Sequence, residues 1–280
     1  MTSILVTGVS TGIGHACANL FAERDWKVIG TVRDTSRRPD RLVSGVSLEE
    51  LDLAIPGSAT DLAQRLLDGA GCPDVLLNNA GALQFGALEN VSDADLESIY
   101  RVNLFGQLEL IRAFLPAMRE RRAGVIANVS SLGGTITFPF FGAYNSTKWA
   151  LEGASEGLWH ELKPFGIRVK AIEPGYVDTA IWGKALHRDG AATGPEQAQA
   201  DDSPYAPFMQ AMRQFESGIT NRTTPEACAE EIMKAIEDRS DRLRYPVAAY
   251  ARPIVSARRA FGSQAMMRFF HRRWMGPNSG

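Results

Sequence analysis

The fold is decided by residues 4–14, which read Ile4-Leu5-Val6-Thr7-Gly8-Val9-Ser10-Thr11-Gly12-Ile13-Gly14. The short apolar run predicts a buried strand, and the glycines that follow permit a tight turn into a helix beginning near His15. Exposed N–H groups and the positive dipole at the start of such a helix attract a pyrophosphate. We interpret the stretch as a strand–turn–helix unit that binds a dinucleotide, with a purely structural glycine turn as the alternative.

The alternation of strand and helix continues along the chain. Apolar runs recur between stretches with helical periodicity, the longest of them at 93–121 after a predicted N-cap at Ser92. This pattern predicts a doubly wound α/β fold of the Rossmann type, with a single parallel sheet of six to seven strands flanked by helices. The predicted strands are residues 4–7, 27–31, 47–51, 74–77, 124–129 and 167–172, with a weaker seventh candidate at 243–247.

Composition and charge exclude several classes of protein. The 280 residues are 45% hydrophobic and 22% charged, with a formal net charge of −2, so we expect a globular chain and no nucleic-acid partner. The three cysteines, Cys17, Cys72 and Cys228, lack the paired spacing of a zinc or thiol-redox site, and we expect no metal. Without a secretory signal or a long apolar run, the expected compartment is the cytoplasm.

The domain organisation is predicted from changes in composition. We expect one catalytic domain over residues 1–249, which includes a polar segment at about 183–224 interpreted as a substrate lid. Residues 250–280 form a basic, aromatic extension with six arginines and no acid. It either packs on a protein surface or contacts an anionic membrane, and the membrane is the less favoured interpretation because basic helix faces are more often solvated.

Further motifs follow the later strands in a specific order. The glycine spacing is Gly-x-x-x-Gly-x-Gly, Asn78-Asn79-Ala80-Gly81 follows the fourth strand, Ser130-Ser131 follows the fifth, and Tyr144-x-x-x-Lys148 lies on the next helix. Over residues 4–179 this combination resembles the short-chain dehydrogenase/reductase family. Within the family it is most similar to the NADP-preferring branch that includes 17β-hydroxysteroid dehydrogenase type 1 and retinol dehydrogenases.

Tyr144 and Lys148 form the predicted centre of the chemistry. They lie one helical turn apart on the same face, with Cβ atoms about 5–6 Å apart. An ammonium close to the phenol would lower the tyrosine pKa by up to ~3 units, which permits proton exchange near neutrality. An isolated pair of this kind is more often an exposed helix face, and it is the accompanying motifs that favour the chemical interpretation.

The resemblance implies four catalytic residues. Tyr144 would be the general acid in reduction or the base in oxidation, and Lys148 would tune it and bind the nicotinamide ribose. Ser131, thirteen residues before the tyrosine as in the family, would hydrogen-bond the reacting oxygen. Asn103 would support a local helix distortion and hold a water, with a core asparagine satisfied by backbone groups as the alternative.

The resemblance also implies the residues of the cofactor site. Pro174, Gly175 and Thr179 correspond to the segment that holds the nicotinamide carboxamide. Asp52 corresponds to a contact with the adenine amino group, or else caps the following turn. The full predicted set is Gly8, Ser10, Thr11, Gly12, Ile13, Gly14, Arg33, Asp52, Leu53, Asn79, Ala80, Gly81, Tyr144, Lys148, Pro174, Gly175, Val177 and Thr179.

Two arguments disagree on the cofactor. Counting about 20 positions from the last glycine places Asp34 at the ribose 2′-hydroxyl and favours NAD. The family alignment instead places Val32 where NAD-dependent members carry aspartate, followed by Arg33, with Arg37 and Arg38 nearby. A guanidinium there can bind a 2′-phosphate, so NADP(H) is favoured over NAD(H).

The substrate is predicted from aromatic residues near the reactive tyrosine. A bulky hydrophobic carbonyl or secondary alcohol, such as a steroid, retinoid or lipid, would suit an apolar cleft. The alternatives are an NADPH-binding sensor without turnover and a related dehydratase or epimerase. A homodimer or homotetramer is expected by analogy with the family. The candidate cleft residues are Phe138, Phe140, Phe141, Trp149, Tyr176, Ile181 and Trp182.

Overall fold

A computed structural model of the chain describes residues 1–181 and 204–275, without the side chains of Glu216, Trp274 and Met275. Its centre is a seven-stranded parallel sheet in the order β3-β2-β1-β4-β5-β6-β7. The predicted fold class is therefore confirmed, including the seventh strand. The strands are β1 Ser3–Val6, β2 Lys27–Val32, β3 Val46–Glu50, β4 Val75–Asn78, β5 Gly124–Val129, β6 Ile167–Pro174 and β7 Arg244–Val247.

Helices cover both faces of the sheet. On one face α1 and α7 pack over a core that includes Val6 and Ile172, and on the other face α2, α4 and α5 pack over Leu5 and Ile126. The strand order reverses at β1, which pairs with both β2 and β4. In open parallel sheets a ligand crevice forms beyond the carboxyl ends of the strands at such a reversal. The helices are α1 Gly12–Glu23, α2 Ser58–Asp68, α3 Asp93–Tyr100, α4 Gly106–Glu120, α5 Gly142–Leu162, α6 Ala206–Ser217, α7 Pro225–Glu237 and α8 Ala251–Met275.

The long helix predicted over 93–121 is interrupted. A π-helical segment, Arg101–Phe105, separates α3 from α4 and contains Asn103. A wider turn of this kind arises where a side chain inserts into the helical hydrogen-bond ladder, and it is often found at functional sites. Ser92 caps α3 as predicted, because its side chain accepts a hydrogen bond from the backbone N–H of Asp95. The first helix begins at Gly12, one turn earlier than predicted.

Two elements lie over the carboxyl ends of the strands. Much of the segment predicted as a lid lies outside the described residues, and its end forms α6. The basic extension forms α8, which bends at Gly262, a residue with φ of 77°. Buried residues of both helices, among them Met212 and Phe270, share an apolar cluster with Leu83 and Phe141. Across residues 1–181 and 204–275, no helix is long and apolar enough to cross a membrane.

Candidate active site

The structure brings the predicted site residues together around one cavity of about 660 Å³ at the carboxyl ends of the strands. All of the residues predicted to bind cofactor line this cavity except Gly14, and so does every predicted catalytic residue except Asn103. Gly14 and Asn103 lie just behind the lining. Their contacts show that they support the loops that form it.

The glycine loop leaves room for a ligand at its backbone. Gly8 and Gly12 have positive φ angles of 74° and 65°, which glycine adopts without the strain other residues incur. A Cβ at Gly14 would lie 2.3 Å from both the Gly8 carbonyl oxygen and the Asn79 side-chain nitrogen. Gly14 therefore permits the close approach of α1 to the turn. The loop and the start of α1 fit a dinucleotide, because they present free backbone groups to the cavity without side-chain bulk.

Threonine and asparagine side chains hold the glycine loop to its neighbours. Thr31 in β2 accepts a hydrogen bond from the Gly8 N–H at 3.1 Å. The Thr7 hydroxyl oxygen accepts from the N–H groups of Asn79 and Ala80, each at 2.9 Å. Asn79 in turn donates its amide to the Thr7 carbonyl at 2.9 Å. The turn after β4 and the turn after β1 are thereby fixed to each other.

Asn103 lies in the π-helical segment and is completely buried. Its side-chain oxygen accepts from the Ala82 N–H at 2.7 Å, and its side-chain nitrogen donates to the Ala82 carbonyl at 2.9 Å and to Thr147 Oγ1 at 3.1 Å. The alternative raised from the sequence, an asparagine satisfied by backbone groups, thus describes most of its contacts. The Thr147 contact links it to the helix that carries Tyr144.

Tyr144 lies beside Ser131 and Lys148. Burial raises the pKa of Tyr144, and a hydrogen bond with the Ser131 side chain acts in the opposite direction. The Ser131 Oγ also accepts from the Gly133 N–H at 3.0 Å, which fixes the hydroxyl at the end of β5. The pKa of the phenol is thus raised where the sequence predicted that Lys148 would lower it. Burial is the main cause of this change, and the Lys148 Nζ lies 5.9 Å from the centroid of the Tyr144 ring.

Lys148 is itself buried, and its ammonium is held in place. The Nζ atom donates to the Val129 carbonyl at 2.9 Å. Burial lowers the pKa of Lys148 to about 8, and the negative charge of Glu152 acts against that change. The lysine therefore changes charge close to neutral pH, one helical turn from the phenol.

The end of the cavity that the sequence predicted to hold the adenine carries the residues that bear on cofactor choice. Arg33 lines the cavity and is exposed, and within the described part of the chain it makes no hydrogen bond or ion pair. Arg38, by contrast, donates to the carbonyls of Leu42, Val43 and Val46. The Asp34 carboxylate accepts from the Ser36 N–H at 2.8 Å, and hydrogen bonds to Ser36 lower the pKa of Asp34.

Asp52 caps a turn, as one of the two interpretations from the sequence predicted, and it also lies at the cavity. It lines the cavity, and its Oδ1 accepts from the Ala54 N–H at 2.9 Å, which caps the turn after β3. The residue is therefore held in a defined position at this end of the cavity.

The other end of the cavity is apolar, and the structure corrects part of the predicted cleft. Phe138, Phe141, Tyr176 and Ile181 line it as predicted, together with Leu83 and Leu132. Phe140 instead packs edge-on against Phe85 and Tyr205. Trp149 was wrongly placed in the cleft, because it follows Lys148 on the outward side of α5 and is 42% exposed beneath Arg258. Trp182 lies outside the described residues.

Sequence reasoning missed several supporting residues. Gln107 donates its side-chain amide to the Ala80 carbonyl at 2.8 Å, and Thr147 joins Asn103 to α5. Glu152 was missed although it continues the four-residue spacing of Tyr144 and Lys148 on the same helix face. That spacing is the signal that identifies it.

Residues 2–189 match the family model described as short chain dehydrogenase. The chain is similar to mouse 17-beta-hydroxysteroid dehydrogenase type 1, with 33% identity over 254 residues, which cover 87% of this chain and 73% of the relative. It is also similar to the 3-ketodihydrosphingosine reductase of Bacteroides thetaiotaomicron, with 29% identity over 266 residues and 95% of each chain covered.

Solved structures show the same architecture. A short-chain dehydrogenase from Streptomyces avermitilis superposes with a TM-score of 0.78 and 33% identity, covering 98% of this chain and 96% of the other. A short-chain dehydrogenase from Sphingobium yanoikuyae in complex with NADPH superposes with a TM-score of 0.69 and 25% identity, covering 96% of each chain.

Proposed function

The chain belongs to the short-chain dehydrogenase/reductase family, and from that premise we propose that it is an NADP(H)-dependent oxidoreductase. In this proposal it interconverts a carbonyl and a secondary alcohol on a bulky hydrophobic substrate. The observation that carries the proposal is the placement of Ser131, Tyr144 and Lys148 in one cavity with the glycine loop. A phenol with a hydroxyl on one side and an ammonium on the other is the arrangement that moves a proton to or from a reacting oxygen.

The nicotinamide, when bound, supplies or accepts a hydride. The protein residues handle the proton and the oxygen. Tyr144 gives its hydroxyl proton to the carbonyl oxygen during reduction and takes it back during oxidation. Ser131 hydrogen-bonds the same oxygen, and Lys148 offsets the negative charge left on the phenol. Asn103 acts indirectly, because its contacts with Ala82 and Thr147 hold the loop and helix that flank the tyrosine.

Arg33 supports a preference for NADP(H). Its guanidinium is exposed at the adenine end with no protein partner in the described ranges, so it is available for a 2′-phosphate. Asp34 already accepts a hydrogen bond from Ser36 and is not among the cavity residues, which weakens the case for a ribose hydroxyl contact and for NAD. The Sphingobium relative was solved in complex with NADPH.

The apolar end supports a bulky hydrophobic substrate. The aromatic rings of Phe138 and Phe141 and the side chain of Ile181 offer dispersion contacts and few polar partners. In this proposal α6, within the catalytic domain of residues 1–249, and α8, which follows that domain, form the outer wall of the apolar end. Met212 of α6 and Phe270 of α8 are buried in the same cluster as Phe141. The steroid and ketosphingoid compounds in the names of the two relatives have such apolar bodies.

A homodimer or homotetramer is part of the proposal. The family associates through the helices that correspond to α4 and α5, and Phe105, directly before α4, is 47% exposed. Light scattering coupled to size-exclusion chromatography at micromolar concentration should report a mass of two or four chains. A monomer alone would remove this part of the proposal.

The experiment that tests the function has two stages. The purified protein is first titrated with NADPH and with NADH, and nicotinamide absorbance is then followed against steroid, retinoid, sphingoid and small aromatic ketones. We expect tighter binding of NADPH and oxidation of it in the presence of a bulky ketone. Tyr144→Phe should bind NADPH with unchanged affinity and lose about 10²–10⁴-fold in turnover.

The rival functions give different results in the same experiment. A sensor would bind NADPH with no turnover across the whole panel. A dehydratase or epimerase would change the substrate, as seen by mass or chirality, without net oxidation of NADPH. Full turnover by Tyr144→Phe would contradict the proton-transfer role.

A further inference from the structure

Two buried carboxyl groups lie behind the candidate active site. Glu173 in β6 is completely buried, and neither of its carboxyl oxygens has a hydrogen-bond partner in the described part of the chain. Glu152 in α5 is 4% exposed, and its Oε1 likewise lacks a close partner there. A buried carboxyl oxygen without a hydrogen bond makes the charged form costly, and burial raises the pKa of both groups.

The Arg244 guanidinium lies within 4 Å of all three carboxyl groups of the cluster. Arg244 Nε lies 3.0 Å from Glu152 Oε2 and 3.4 Å from Glu173 Oε1, and its Nη1 lies 2.8 Å from Glu156 Oε1. Glu156 is 55% exposed at its side chain, so water solvates it. The two buried carboxyls therefore compete for one cation. Repulsion between two like charges beside the same guanidinium is relieved when one proton is shared between them.

The direction of the pKa change at each carboxyl group agrees with this geometry. Burial, and then the charge of Glu152, raise the pKa of Glu173 to about 7, while Arg244, Arg259 and Arg242 act in the opposite direction. Burial also raises the pKa of Glu152, against the effects of Ser130 and Arg244. The charged groups around the pair are thus Arg244 in β7, Arg242 in the turn before β7, Arg259 in α8 and Glu156 on the outer side of α5.

The pair is connected to the reactive residues by α5 and by the loop after β5. Glu152 follows Lys148 by one helical turn, and its negative charge raises the pKa of the lysine against the effect of burial. Residues 130–134 pack closely over Glu152. A Cβ added at Gly134 would lie 2.5 Å from Ser130 Oγ and 3.1 Å from Glu152 Cγ, so there is no room for a side chain between the loop and Glu152. The charge of Glu152 is therefore close to Lys148 on α5 and to the loop after β5.

We propose that Glu152 and Glu173 share one proton beneath Arg244 at neutral pH, and that Glu152 is a positioning residue that keeps Lys148 charged. As the pH rises, the shared proton leaves to solvent and Glu152 becomes fully ionised. The added negative charge then opposes the loss of the proton from Lys148. The second half of this proposal rests on the proposed function, because it acts through proton donation by Tyr144.

The first test needs no turnover. Infrared spectra of the full chain are recorded as the pH is raised through about 7, the pKa to which burial raises Glu173. The carbonyl stretch of a protonated carboxyl group should be present at neutral pH and disappear on the alkaline side. Glu173→Gln should remove this titrating band, whereas Glu156→Gln, which removes an exposed carboxylate from the same arginine, should leave it unchanged. A wild-type spectrum without the band, or a band that Glu173→Gln leaves in place, would overturn the shared proton.

The second test measures the pH profile of ketone reduction. Glu152→Gln should move the alkaline loss of turnover to lower pH by about half a unit to one unit, which is a roughly two- to sixfold loss at the wild-type midpoint. Glu173→Gln should leave the alkaline loss of turnover at the same pH or move it to higher pH, because Glu152 is then ionised over the whole pH range measured. Glu152→Asp should restore part of the wild-type profile because it retains the charge.

The outcomes separate this proposal from the proposed function. An equal loss of turnover at every pH in Glu152→Gln, or the same shift in Glu156→Gln, would make the cluster structural and overturn the link to Lys148, while the oxidoreductase function would stand. If no ketone is turned over, the proposed function fails and the infrared test still decides the shared proton.

Discussion

Asn103 and Ala82 hydrogen-bond each other in both directions, with the Ala82 N–H donating to the asparagine oxygen at 2.7 Å and the asparagine amide donating to the Ala82 carbonyl at 2.9 Å. These two hydrogen bonds hold the π-helical segment against the loop that follows β4. It occurs beside Gly81, where a Cβ would lie 3.3 Å from the asparagine oxygen and 3.7 Å from Lys148 Nζ. The cavity floor and the reactive lysine therefore depend on this one side chain for their relative position.

We expect Asn103→Ala to lower the free energy of unfolding by about 2–4 kcal/mol. The substitution leaves the N–H and carbonyl of Ala82 without their partner and removes a third hydrogen bond, to Thr147. Denaturant unfolding of the full chain measures the change. Asn221→Ala, at an exposed loop position, is the matched control and should change stability by less than about 0.5 kcal/mol. An equal effect of the two substitutions would show that the exchange with Ala82 is not a main support.

Gly14→Ala and Gly153→Ala should have opposite effects on stability. At Gly14 a Cβ would lie 2.3 Å from the Gly8 carbonyl oxygen, so α1 must move away from the glycine loop. At Gly153, also in a helix, a Cβ meets nothing within 4 Å. We expect Gly14→Ala to destabilise the protein and weaken NADPH binding, and Gly153→Ala to stabilise it by about 0.5–1 kcal/mol. Thermal unfolding and cofactor titration measure both effects, and unchanged NADPH affinity in Gly14→Ala would contradict the close approach.

Some features of the site follow from local sequence and others do not. The glycine loop, the end of β5 and the Tyr144 helix were predictable because each motif lies within one strand–turn–helix unit, where short-range geometry decides position. The π-helical turn at Asn103 was not apparent from periodicity, since residues 93–121 keep a nearly continuous helical pattern of apolar residues. Trp149 was misplaced because an aromatic residue next to Lys148 does not reveal that it faces outward.

Pairings between distant segments were the least predictable. Arg244 lies 92 residues from Glu152, and their contact depends on β7 adding to the edge of the sheet beside β6. The direction of the Tyr144 pKa was also mistaken from sequence, because spacing on a helix gives the distance between two groups and not their burial.

Arg33→Ala should weaken NADPH binding by about 10- to 100-fold and leave NADH binding nearly unchanged. A guanidinium that binds the 2′-phosphate contributes charge-assisted hydrogen bonds worth about 1.5–3 kcal/mol, which NADH cannot make. Fluorescence titration with both cofactors measures the two affinities. Arg37→Ala removes an equally exposed charge four residues away, outside the cavity lining, and should have a smaller effect. Equal losses for NADPH and NADH in Arg33→Ala would assign the residue to adenine contact alone.

Ketone reduction should fall as the pH rises through about 8. Burial lowers the pKa of Lys148 to about 8, so its ammonium loses a proton there, and the phenol loses the charge that assists its proton donation. The phenol itself does not titrate in this range, because burial raises the pKa of Tyr144. Turnover at saturating substrate, measured across pH, tests the sign. Lys148→Arg keeps its charge over this range, so its residual activity should lack the decline. Wild-type activity that persists to about pH 10 would contradict the assignment.

Phe270→Ala should raise the KM for a bulky ketone and leave that for a small ketone nearly unchanged. Phe270 in α8 is 8% exposed, and its ring centroid lies 5.8 Å from that of Phe138, which lines the cavity. Its truncation removes support from the apolar wall, and a loss of about 1.4 kcal/mol of contact corresponds to a tenfold higher KM. Phe261→Ala, in the same helix but 71% exposed, is the control and should change neither value. Steady-state kinetics with one large and one small ketone measure the KM values. If Phe270→Ala and Phe261→Ala give the same KM values, α8 is not part of the substrate wall and only covers the protein surface.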